Sequence, residues 1–78
     1  MPMRKADIKI GHRAYYEAMR IFGDPSEASR KLRVERTAVY KWRGGMVPTG
    51  GTLAKMAWAG ADVNYILTGR RADNGKAD

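Results

Sequence analysis

The chain has no cysteine, one histidine, one phenylalanine and three prolines, and its 8 acids face 15 Lys/Arg residues. Each shortage excludes something. Without cysteine there are no disulfides and no thiolate metal sites, so stability must come from packing, alone or with a partner. His12 has no acid at helical spacing on a shared polar face, which argues against a metal or catalytic role. No paired acids and no nucleophile–base pair stand out, so an enzyme is not expected. No apolar run reaches the roughly 20 residues of a bilayer-spanning helix. The start MPMRKADIK also lacks the apolar stretch of a signal peptide. The expectation is a soluble, cytoplasmic protein with no membrane partner.

What is present is positive charge and helical periodicity. The 78 residues carry a formal charge of +7, which favours anionic partners such as nucleic acid. A chain of this length makes one domain and buries roughly 60% of its unfolded surface. No alternating strand pattern and no internal repeat is visible. Residues 1–6 have no periodicity and read as a flexible basic arm containing Arg4 and Lys5. From Asp7 to Phe22, Ile10, Ala14, Ala18 and Ile21 or Phe22 recur at spacings of three and four, predicting a helix that Gly23 stops. Asp24-Pro25-Ser26-Glu27 combines an N-cap acid, a proline at the first helical position and a capping-box spacing. The second helix thus begins there, turns Ala28 and Leu32 inward and ends near Arg33-Val34.

A third helix begins near Glu35, with Glu35 or Thr37 as its cap, and has Val39 inward between Ala38 and Trp42. Gly44-Gly45 ends it. After a loop containing Pro48, Thr49 is the candidate cap of a fourth helix with Leu53, Met56 and Ala57 inward, stopped at Gly60. Asp62 caps a short fifth helix with Val63, Ile66 and Leu67 inward, ended by Gly69. Residues 70–78 hold no apolar side chain larger than alanine and read as a disordered polar tail. The predicted fold is an all-α, compact bundle of about five short helices. The Gly44-Gly45 and Gly50-Gly51 pairs follow no strand and lack the Lys-Ser/Thr of a phosphate loop, so no nucleotide, cofactor or small-molecule ligand is evident.

The stretch ASRKLRVERTAVYKWRGG, residues 28–45, carries six Lys/Arg and one acid, Glu35. Its two short helical patterns with a tight break between them form a unit that can seat a helix in a DNA groove. It resembles the helix-turn-helix of the Cro/repressor family. Ala28-Ser29 stand at that family's small pair, Leu32, Val34 and Val39 at its apolar sites, and Trp42 at its aromatic. Gly45 stands at the closing glycine and Pro48 follows at the family spacing. Gly60-Ala61-Asp62-Val63-Asn64-Tyr65-Ile66-Leu67-Thr68-Gly69 is similar to the segment that closes the DNA-binding domain of many phage-type repressors. Two departures matter. Arg33 replaces the usual turn glycine, where it must adopt or avoid a left-handed conformation. Glu35 replaces the Ser or Thr that often touches phosphate.

The resemblance implies a lambda-repressor-like fold over residues 7–69 and a bacterial or phage-encoded, nucleoid-associated regulator of transcription. Such a protein would act as a repressor by occupying a pseudo-palindromic operator in double-stranded DNA as a homodimer. With Val39 inward and residues 35–43 in the major groove, Arg36, Thr37, Tyr40 and Lys41 face base edges. Arg36 leads, because a guanidinium can bond both acceptors of guanine. Arg30, Arg33, Arg43, Gly45 and Thr49 are the candidate backbone contacts. Trp58 and Tyr65 lie off their helices' inward stripes and suit either a dimer surface or a small core. The alternative function is an antitoxin-type interaction module. Against it stands a nine-residue tail with almost nothing apolar to wrap a partner.

Overall fold

The computed structural model describes residues 5–71, with side chains from residue 8 onward. Over the described residues the chain is all-α, a bundle of five helices: α1 Lys5–Phe22, α2 Pro25–Leu32, α3 Arg36–Arg43, α4 Gly50–Trp58 and α5 Val63–Thr68. The long α1 is the spine, packing against α2, α3 and α5, while α2 packs on α3 and α4. The core is Ala14 and Ala18 of α1, Ala28 and Leu32 of α2, Val39 and Trp42 of α3, Met56 of α4, Ala61 and Ile66. Alanines on α1 let its neighbours approach closely, and the large side chains come from the shorter helices.

The start signals of α2 act as expected in two respects. Asp24 accepts from the Glu27 amide at 2.8 Å and Pro25 opens the helix. The second half of the capping box is replaced by a salt bridge, because both Glu27 carboxylate oxygens accept from Arg30, at 2.6 and 2.7 Å. Thr49 caps α4 by accepting from Thr52 at 3.2 Å, and Asp62 caps α5 by accepting from Tyr65 at 2.9 Å. At α3 the N-cap is Glu35, without a side-chain cap bond. The helix therefore starts at Arg36 and not at Glu35.

Four expectations need correction. Helix α1 begins at Lys5, two residues before Asp7, so residues 5 and 6 are not part of an arm; residues 1–4 lie outside the described residues. On α4, Ala57 is exposed and Thr52 is buried, because the helix turns its Thr52/Met56 edge inward. On α5 only Ile66 is fully buried and Leu67 is exposed, since a helix of 6 residues crossing α1 covers a single turn. The expected tail at 70–78 starts at least two residues too early, since Arg70 and Arg71 both belong to the folded part. Arg71 is ordered by the carboxylate of Glu17 at 3.0 Å, whereas residues 72–78 lie outside the described residues.

Glu17 itself is a buried acid that hydrophobic periodicity passes over. It lies fully buried on the Ala14/Ala18 face of α1 and receives four donors: Arg20 through two nitrogens at 2.6 and 3.0 Å, Arg71 at 3.0 Å and the Asp62 amide at 2.9 Å. Burial by itself raises a carboxyl pKa. The hydrogen bonds from Arg20, Asp62 and Arg71 outweigh it and hold the Glu17 carboxyl at about 2. Beside it, Arg13 donates to the Ile66 carbonyl at 2.9 Å. Arg13 and Arg71 also lie against the Tyr65 ring, 6.0 and 3.9 Å from its centroid. This polar joint locks α5 and the chain after it onto α1.

Candidate nucleic-acid interface

The turn between α2 and α3 spans Arg33, Val34 and Glu35. Arg33 takes the left-handed conformation, φ 58° and ψ 46°, and is the one non-glycine with positive φ among the described residues. The Val34 amide then reaches back to the Ser29 carbonyl at 3.0 Å, closing α2 with a Schellman-type bond. Val34 packs against the core beside Leu32. An arginine here costs backbone strain but sets a positive charge at the negative end of α2. Lys55 of α4 does the same from the other side, donating to the Leu32 carbonyl at 3.1 Å.

Helix α3 is clamped from the side opposite its polar face. Val39 and Trp42 are buried, and Arg36, Thr37, Tyr40 and Lys41 are exposed. The clamp is tight where α1 crosses the end of α3. A Cβ on Gly11 would lie 2.6 Å from the Gly45 carbonyl carbon and 2.6 Å from the Met46 oxygen, so only glycine permits this approach. Gly45, at φ +110°, turns the chain beneath Ile8. Its amide donates to Trp42 at 2.8 Å, and the next amide, of Met46, donates to Lys41 at 2.9 Å.

The residues singled out in the sequence separate into distinct placements. Arg36 leans back onto α2, donating from Nη1 to the Ser26 hydroxyl at 3.1 Å. Thr37 and Lys41 are exposed beside it on α3. The Arg43 guanidinium is stacked over Tyr40 at 5.1 Å and over Tyr15 of α1 at 5.8 Å. Arg30 is paired with Glu27, and Arg33 is exposed at the turn. Gly45 is buried with its amide occupied, so it presents neither side chain nor donor to the surface. Thr49 is exposed at the start of α4, but its hydroxyl is bound to Thr52. Ser26 and Tyr15 join this surface without having been marked in the sequence. Their contacts exist only once α2 and α1 lie against α3.

The distribution of charge sharpens the picture. Among the described acids Glu17 is buried, Asp24 and Asp62 cap helices, and Glu27 is bound to Arg30, which leaves Glu35 as the one beside the exposed face of α3. On α3 itself, Arg36, Lys41 and Arg43 all remain exposed. Among the described residues no group of three or more His, Asp or Glu side chains is placed to hold a metal ion. No described helix is long and apolar enough to cross a membrane. Comparison with family models, curated proteins and solved structures returns no match.

Proposed function

We propose that the protein is a sequence-specific double-stranded DNA-binding regulator of transcription, with α3 entering the major groove. The observation that carries this reading is the two-sided character of α3. Val39 and Trp42 anchor it while Arg36, Thr37, Tyr40 and Lys41 stand outward from one side of a short, rigidly held helix. The resemblance of residues 28–45 and 60–69 to repressor helix-turn-helix domains supports the same reading.

In this arrangement Arg36 reads guanine through its two acceptors, a contact worth about 1–3 kcal/mol of discrimination. Thr37 offers a hydroxyl or a methyl, and Tyr40 and Lys41 flank them. Arg30, Arg33 and the start of α4 at Thr49 lie against phosphates and set the register. Arg43 contributes charge from its seat on Tyr40 and Tyr15. Gly45 drops out of the contact set, because its place under Ile8 serves the seating of α3. So small a reader gains affinity by pairing, with half-sites one helical turn apart, about 34–36 Å. Occupying an operator that overlaps a promoter then makes it a repressor.

The test is selection of bound sequences from random double-stranded DNA, followed by titration at several salt concentrations. The expected result is a motif with two-fold symmetry, bound about 10³-fold or more tighter than scrambled DNA. Binding without sequence preference that disappears at modest salt sinks the proposal.

A further inference from the structure

The most exposed large apolar side chain among the described residues lies away from α3. Trp58, the last residue of α4, is 92% exposed. It borders a shallow open groove between the C-terminal ends of α2 and α4, lined by Lys31, Ala54, Lys55, Trp58 and Ala59. A single exposed aromatic is ordinary on a protein surface. Its setting here is not. The two alanines leave a flat floor beside the indole, and no carboxylate lines the groove. The bond from Lys55 to the Leu32 carbonyl holds one of the two positive charges in place before any partner arrives. Two full charges exceed the half-charges of the two helix ends beneath them, so the groove is net positive.

We propose that this groove docks an acidic segment of a partner protein, with an apolar side chain on Trp58 and carboxylates on Lys31 and Lys55. Aromatic anchors ringed by complementary charge are what such contacts are built on. A second copy of this chain fits poorly, because a two-fold contact through the groove sets its lysines against their own equivalents. None of the five lining residues belongs to the DNA-facing set. The two residue sets are distinct, so this inference stands or falls separately from DNA binding.

The test is enrichment of a displayed library of random dodecapeptides on the whole protein, with Trp58→Ser and Lys31→Glu in parallel. Both positions are exposed, so the variants keep the fold, checked by thermal unfolding. The expected result is enrichment of acid-rich peptides with an apolar anchor, bound at least tenfold more weakly by each variant. These peptides shift the emission of exposed Trp58, while buried Trp42 serves as reference. No enrichment, enrichment unchanged in the variants, or enrichment of basic peptides overturns the proposal. So does a Trp58 emission change produced by single-stranded oligothymidine or by self-association in place of acidic peptides.

Discussion

Arg33 and Arg36 sit three residues apart and are under opposite constraints. Arg33 is held by its backbone, at φ 58°, where a non-glycine residue costs about 1–2 kcal/mol. Arg33→Gly removes that strain but adds unfolded-state freedom and gives up a charge at the end of α2, so a gain of about 0.5 kcal/mol is expected. Arg33→Val, β-branched and poorly suited to positive φ, is expected to lose about 1 kcal/mol. Urea midpoints of the two variants check this, and the reverse order contradicts the assigned role of the turn. Arg36 is held by its side chain, through Ser26. In the proposed complex Arg36→Ala costs about 1–3 kcal/mol on the selected site and erases preference at one base pair. Titration on selected and scrambled DNA at fixed salt decides it. A uniform loss on both makes Arg36 a phosphate contact. The sequence pointed to both arginines, but the Ser26 contact was invisible there, since it joins residues ten apart through the packing of two helices.

At the scale of the element, the decisive feature is where α1 crosses α3. The glycine at position 11 weakens α1 by about 1 kcal/mol relative to alanine. Gly11→Ala recovers that propensity yet drives a methyl into the backbone of Gly45 and Met46. Overpacking of this kind costs about 1–3 kcal/mol, at the upper end when backbone must move, so a net loss of about 2 kcal/mol is expected in chemical denaturation. Because the end of α3 has to shift, affinity in the proposed DNA complex is expected to fall as well, at temperatures where the variant is still folded. Intact binding together with intact stability removes Gly11 from its role. The caps Asp24, Thr49 and Asp62 and the Val39/Trp42 face were legible, because each depends on residues within one turn. The glycine contact was not, because periodicity treats a glycine inside a helix only as a weak point.

For the whole molecule, Glu17 is the acid through which α1, the start of α5 and Arg71 are joined. Its carboxyl is held at about 2 against an ordinary 4.5. A depressed carboxyl stabilises the fold in full above pH 4.5 and loses that contribution as pH falls towards 2, an effect on the order of 3 kcal/mol. Glu17→Gln is expected to lose about that much at neutral pH, with Arg20 and Arg71 turning to solvent. The gap from the parent protein narrows steadily as the pH is lowered from 4.5 to 2. Urea unfolding across this range measures it, and a gap independent of pH rules out the carboxylate as its source.

The existence of the five helices, the caps Asp24, Thr49 and Asp62 and the outward side of α3 were already determined by the sequence, because local hydrogen bonding and the 3.6-residue period act over neighbouring residues. Tertiary structure alone decided that Glu17 is buried and quadruply bonded, that Arg71 is part of the fold, and that Gly45 is sealed under α1. It also decided that Leu67 and Trp58 remain in solvent. These outcomes depend on how far apart helices settle and at what angle, which small residues at crossings and long-range ion pairs set. No window along the chain contains that information.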